Sequence, residues 1–252
     1  MIKFSHNQQV RGLQVINHLL LIVGIGYVVY SSAYYYLLTS LITYWIIGVL
    51  GINIGYHRLL SHRSFKTNMF WERLFSIVGV LTTVGSPLAW VAIHRQHHRS
   101  AERPGDPHSP YILGNWRAWF GIWNIIKLDV KLVRDLRENM FQRWLHKNYL
   151  IVILIYCAIL SNIDPMYIIF VYAIPACLCL HSTSAIIVIA HRHGYRPYPD
   201  VKDHSRNSWI ANLITLGEGW HNTHHAKPYA WNNWERWWEF DIPSLVIRLI
   251  KK

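Results

Sequence analysis

Charge is what this sequence has least of. Only 15% of its 252 residues are Asp, Glu, Lys or Arg, against about 25% in a soluble globular domain. The shortage is mostly acidic, with 13 Asp and Glu facing 25 Lys and Arg. Three cysteines, Cys157, Cys177 and Cys179, all sit in apolar runs without CxxC spacing. That excludes a disulfide scaffold and a thiolate metal site and leaves them as small packing residues. No low-complexity linker, internal repeat, or flavin or nicotinamide motif interrupts the chain, which reads as one domain over residues 1–252.

What is present is apolar and long. Runs over about 13–30 and 35–54 each approach the roughly 20 residues needed to cross a hydrocarbon core. They are separated only by Ser31–Tyr34, a tight turn. A second pair covers about 147–161 and 166–190, joined by Ser161–Pro165. The basic pair Lys3 and Arg11 precedes the first run without a credible cleavage site, so that run is expected to be a retained helix.

A fifth apolar stretch, about 75–93, is interrupted by Gly85-Ser86-Pro87, where proline breaks or kinks a helix, and has basic residues on both flanks: Arg58, Arg63, Lys66 and Arg73 before it, Arg95, Arg99 and Arg103 after it. One crossing would put a basic cluster on each side of the bilayer, against the positive-inside rule. The stretch is therefore expected to lie in the interface. The expected architecture is an all-α membrane protein with four transmembrane helices, an interfacial helix and a cytosolic histidine-rich cap, both termini cytoplasmic. The formal charge of +12 then faces anionic lipid head groups, substrate heads or an acidic partner, and calls for no nucleic acid.

The second abundance is histidine, sixteen in all. His57 and His62 form HxxxxH; His94, His97 and His98 form HxxHH; His221, His224 and His225 form HxxHH again. Chance supplies on the order of 0.05 HxxHH matches in such a chain. On an α-helix, positions i, i+3 and i+4 share a face, so each HxxHH aims three imidazoles one way, two consecutive rings being splayed enough to serve neighbouring ions. HxxxxH covers about 1.4 turns, so its rings are expected to diverge, as suits a frayed helix end.

An all-nitrogen donor set suits Fe, Cu, Zn or Ni, and eight donors are too many for one ion. A hydrolytic zinc pair would recruit bridging carboxylates, and the boxes contain none. Asp106 and Glu218 lie nearby and are expected to orient the rings. Haem ligation across a helix bundle would use His18 and His181. A transporter would place its ligands near the bilayer midplane rather than at one face.

These residues resemble a known family. GYHRLLSHRSF (55–65), WVAIHRQHHRS (90–100), DPH (106–108), HRHGYRPY (191–198) and GEGWHNTHHAKP (217–228) are similar to the membrane fatty acyl desaturases of acyl-CoA and acyl-lipid Δ9 type, over about Gly51 to Trp238. The resemblance implies four helices beneath a cytosolic cap holding two irons. It implies insertion of a cis double bond into a saturated acyl chain with O2 and two electrons from a separate donor such as ferredoxin or a cytochrome-type protein.

It also implies a ninth ligand in the HRHGYRPY segment, His191, with His193 the weaker candidate. Where the family often has an asparagine four residues earlier, Ile187 stands here, and Asn212 or Ser184 would have to substitute. His108, His146, His181 and His204 match no ligand position. The acyl chain is expected to end against Val49, Asn53 and Ile187. Alkane hydroxylases and carotenoid ketolases carry related boxes with other spacings.

Overall fold

The computed structural model describes residues 5–121 and 129–252; Lys3 lies outside them. Every regular element among the described residues is a helix, and two isolated bridges, Tyr195 with Asn207 and Asn207 with Trp220, stand in place of a sheet.

Helix α1 (His6–Ser31) starts at a capping box: Ser5 Oγ accepts from Gln8 N at 3.3 Å while Gln8 Oε1 accepts from Ser5 N at 2.7 Å. Its buried positions, Leu13, Asn17, Gly24 and Val28, form one stripe. The rest of its surface is exposed Val15, Ile16, Leu19, Ile22 and Val23. An apolar exterior of this kind is stable in lipid. Helix α2 (Tyr35–Ile47) follows the tight turn and runs unbroken into a wide helix, Gly48–Ser61, with π-type i→i+5 hydrogen bonds.

The stretch expected to be an interfacial helix over 75–93, broken or kinked at Gly85-Ser86-Pro87, is two separate helices. α3 (Met69–Leu81) and α4 (Pro87–Ser100) are separated at 82–86. Pro87 cannot continue a helix but suits its first turn, and Ser86 caps α4 by accepting from Ala89 N at 3.4 Å. α3 packs backbone to backbone on the wide helix. A Cβ on Gly51 would stand 2.7 Å from Gly79 N, so neither position has room for a side chain. That approach fixes α3 against the wide helix and sets where α4 emerges.

Short helices α5 (Pro110–Leu113), α6 (Asn115–Trp119) and α7 (Arg134–Glu138) lead to α8 (Met140–Lys147), bent by 72° from α9 (Tyr149–Ile163). A second π-type stretch, Ile168–Ala173, opens α10 (Ile174–Val188); α11 (Trp209–Thr215), α12 (His221–Ala226) and α13 (Ile242–Ile250) complete the chain.

Among the described residues, three helical segments are long and apolar enough to cross a membrane, His6–Ser31, Tyr35–Ser61 and Ile168–Ile189, and a fourth is formed if the bent pair α8–α9 counts as one span. Those four coincide with the four expected runs. α9 alone, at 15 residues, falls short of the roughly 20 a perpendicular crossing needs.

Candidate metal centre

Four separate elements bring the expected histidines to one place. His57 is in the wide helix and His62 caps its end; His94, His97 and His98 are on α4; His191 follows α10; His221, His224 and His225 are on α12. Their ring nitrogens gather into two groups. One holds His57, His62, His94, His98 and His224, the other His97, His191, His221 and His225, with the donor atoms of each group within 4.8 Å of one another.

Each HxxHH box divides between the groups. The i,i+4 pair His94/His98 goes to the first and His97 to the second. In α12 the i,i+4 pair His221/His225 goes to the second and His224 to the first. His193 is exposed and joins neither.

The HxxxxH pair corrects the expectation of divergent rings. That expectation assumed 3.6 residues per turn. With i→i+5 bonding, seen in His62 N donating to His57 O at 3.1 Å, residues five apart lie nearly above one another. The two ring centroids are 4.9 Å apart. π-type turns of this kind are uncommon and concentrate at functional sites.

Carboxylates fix the outward nitrogens. Glu218 Oε2 is 2.7 Å from His57 Nδ1, and Asp106 Oδ2 is 3.0 Å from His97 Nδ1. Two more were not anticipated: Glu102 Oε1, 2.8 Å from His191 Nδ1, and Asp203 Oδ2, 2.6 Å from His225 Nδ1. Glu102 also accepts from His204, side chain and backbone.

Burial would raise the Glu218 carboxyl, but Arg58 and His57 hold it down at about 2. Asp203 lies well below the usual carboxylate range because the hydrogen bond and charge of His225 outweigh burial. Burial, then neighbouring imidazoles, pushes His94, His98, His221 and His224 well below the ordinary histidine value, which keeps them in the neutral form that ligates metal.

Proton counting tests whether these residues suit metal. With Nδ1–H of His57, His97, His191 and His225 donated to carboxylates, each presents a lone pair at Nε2. Around His221, its Nε2 lies 3.1 Å from both His191 Nε2 and His225 Nε2. One hydrogen on His221 satisfies only one of those lone pairs, and its Nδ1 is buried without a partner. The contacts His57–His224 and His224–His98, also 3.1 Å between Nε2 atoms, pose the same problem. A cation at each centre resolves both: metal–nitrogen bonds of about 2.0–2.2 Å to adjacent ligands separate the nitrogens by about this distance. The residues fit a metal in each group.

The remaining histidines have other partners. His18 and His181 touch directly, Nε2 to Nε2 at 3.1 Å, with Trp119 Nε1 donating to His181 Nδ1 and His18 Nδ1 donating to Gln14 O. Two iron–nitrogen bonds of about 2 Å each need a wider gap, so this pair fastens α1 to α10 and cannot flank a haem. His146 Nδ1 lies 2.6 Å from Ser86 Oγ. His108 packs on His97 with ring centroids 4.3 Å apart, and His97, Asp106 and His108 form a smaller third cluster. Neither substitute for the missing asparagine reaches the groups: Asn212 spends its amide on Gly219 N and Phe240 O, and Ser184 donates to Trp119 O.

Beneath the histidines lies a narrow, mostly apolar cleft with a cavity volume of about 80 Å³. The pairs Tyr44/Trp45, Gly48/Val49 and Ile52/Asn53, then His57, supply one wall from a single helix; Ile186, Ile187 and His191 supply another. Val49, Asn53 and Ile187 therefore all line it. The cleft continues past Val49 to Tyr44, so Val49 flanks it rather than closing it. Asn53 also ties two elements together, its amide donating to Thr215 O at 2.8 Å.

A family model described as fatty acid desaturase matches residues 31–241. The chain belongs to the fatty acid desaturase family. An sn-1 stearoyl-lipid 9-desaturase of Anabaena variabilis is 32% identical over 84% of this chain and 79% of its own length. An sn-2 palmitoyl-lipid 9-desaturase of Nostoc is 34% identical over 82% and 75%. An acyl-CoA 5-desaturase of Anemone leveillei is 32% identical over 84% and 68%. This desaturase is thus a membrane-embedded oxidoreductase of lipid metabolism. Relatives at similar identity differ in acyl carrier and in bond position.

Proposed function

We propose that this desaturase places a cis double bond, of Δ9 type, in a saturated acyl chain held in the cleft, using O2 and two electrons from a separate carrier. The overall balance is R–CH2–CH2–R′ + O2 + 2 e− + 2 H+ → R–CH=CH–R′ + 2 H2O. The observation that carries the reading is the position of the histidine groups at the head of an apolar cleft. Two irons, held by His57, His62, His94, His98 and His224 and by His97, His191, His221 and His225, would supply the oxidising power that no side chain has.

The chain's own residues do the rest. Ile52, Ile93, Ile186 and Ile187 hold methylenes and exclude water. Glu218, Asp106, Glu102 and Asp203 keep the outward Nδ1 protons in place so that the inward nitrogens stay available. Supplying cells that express the protein with isotopically labelled saturated acyl chains tests the reading. Labelled monounsaturated product resolved by lipid class supports it and identifies the carrier; hydroxylated or unaltered chains overturn it.

The histidine groups are proposed to face the cytoplasm, with Ser31–Tyr34 and Ser161–Pro165 outside. A cysteine introduced at the exposed Pro104 should resist a membrane-impermeant thiol reagent added to intact cells but label once the cells are opened, and labelling from outside would invert this orientation.

Glu102→Gln should weaken metal retention by about 10–100-fold, the usual effect of losing a carboxylate that orients a ligand. Chelator competition followed by elemental analysis measures this. Val49→Trp should block the cleft midway and shift preference toward shorter chains while turnover on those chains survives. Product profiles from a mixture of chain lengths decide it; an unchanged profile from folded, metal-loaded protein would place the acyl chain elsewhere.

A further inference from the structure

The cleft reaches the histidines through His57, His94, His97, His191 and His221, and His62 is absent from its lining. His62 instead lines a separate surface depression that shares no residue with the cleft. His62 as a whole residue keeps 8% exposure, while its Nε2 lies 2.7 Å from His94 Nε2 inside the five-histidine group. A single imidazole therefore spans from the protein surface to the proposed metal.

The surroundings of that imidazole are basic. Arg63, Arg95, Lys131 and Arg134 line the depression against Asp135 and Glu138. Asp135 is shared by Arg63 and by Arg95, whose NH1 sits 2.8 Å from it. Arg95 also donates to Leu60 O, Ser61 O and Leu132 O, which makes it part of the depression's floor. Lys131 and Arg134 stand on the surface, and Tyr229, 79% exposed, is on the rim. The exposed pair Arg134–Glu138 contributes little stability, so these charges are not explained by holding the fold.

We propose that the depression over His62 is the docking surface for a small acidic one-electron carrier protein, which delivers electrons to the metal centre through the His62 ring. The proposal rests on the desaturase reading above. Each visit oxidises one carrier and delivers one electron; two visits supply the two electrons of the balance already written, and water supplies the two protons. Substrate then enters by the cleft and reducing equivalents by the depression, so neither has to leave for the other to arrive. An excess of cations beside one exposed aromatic suits a transient encounter, in which rim charges govern association rate and salt dependence more than lifetime, over an interface at the small end of the range.

The test uses the full chain in nanodiscs of zwitterionic lipid, with reduced plant-type [2Fe–2S] ferredoxin, an acidic one-electron carrier, as probe. Lys131→Glu with Arg134→Glu should slow association at least tenfold at low ionic strength and flatten its salt dependence. Lys131→Gln with Arg134→Gln should give a smaller loss. Metal content and the KM for acyl substrate should be unchanged in both. Binding is also measured on zinc-substituted protein, which takes no electrons, so the docking result stands apart from catalysis.

Equal ferredoxin association by wild type and the Glu variant overturns the proposal. So does a variant that loses binding to anionic vesicles but keeps ferredoxin binding, because the depression would then be a lipid site. Failure of the desaturase reading has a different signature, the absence of unsaturated product from wild type supplied with ferredoxin and O2.

Discussion

Replacing His224 with alanine is expected to abolish desaturation and to lower bound metal from two ions per chain to no more than one. The His224 Nε2 lies 3.1 Å from the Nε2 atoms of both His57 and His98, and its ring packs on His62 at a centroid distance of 4.6 Å. It is fully enclosed, so no water can take the place of the ring without entering an imidazole-lined space. Loss of one ligand leaves the facing nitrogens of His57 and His98 with lone pairs and no counterpart. Elemental analysis of the purified variant, beside product analysis, checks both halves. His204→Ala is the control: that ring is more than half exposed, and Glu102 keeps His191 and the His204 backbone N–H as partners without it. It should retain most activity.

The second large effect is on stability. Arg58 is buried in the wide helix and neutralises two buried carboxylates. Its guanidinium lies 2.9 Å from Glu218 Oε1 and 2.9 Å from Asp241 Oδ2, and it donates to Trp231 O. Removing one partner of a buried ionic group leaves charge uncompensated in a poor dielectric, at a cost of about 3–5 kcal/mol. Arg58→Met should therefore lower unfolding stability by that amount, measured by denaturant titration in detergent.

The loss should extend to structure around the metal centre, since Glu218 orients His57 and Asp241 caps α13 by accepting from Ser244 N at 3.2 Å. Adding Glu218→Gln and Asp241→Asn to Arg58→Met should recover a large part of the loss, because the charges left stranded are then gone. If the triple variant is no more stable than the single one, Arg58 acts by packing instead.

The parts of this molecule legible in its sequence are those governed by one local rule. Runs of apolar residues register as spans because hydrocarbon imposes length and polarity on every residue it touches. The two HxxHH boxes register as clustered imidazoles because α-helical spacing puts their rings on one side, and the structure gathers all six among the nine grouped rings. Gly85-Ser86-Pro87 marked an interruption, and a helix does begin at Pro87.

The misjudged parts depend on a rule changing or on contacts far along the chain. His57 and His62 seemed divergent only because the helix carrying them was taken to be ordinary. Nothing in Gly48–Ser61 announces a wider turn apart from the five-residue interval itself, which was the signal available. Glu102 meets His191 across 89 residues, and Asp203 meets His225 across 22; no periodicity links such pairs. Arg58 appeared as one more cytoplasmic cation because its two acids lie 160 and 183 residues away. Asn212 and Ser184 were the candidates to replace the missing asparagine, and in the structure backbone groups engage both side chains.

The division of each HxxHH box between two groups bears on how the protein would acquire the two ions proposed for it. α4 and α12 each contribute to both, so neither ion can order its ligands without also ordering part of its neighbour's. Whichever ion arrives first removes conformational freedom that the second would otherwise have to remove. Loading should then be close to all or none, with singly occupied chains scarce at intermediate metal supply. Cells short of the metal would then hold a mixture of complete and empty protein rather than a population of half-filled chains.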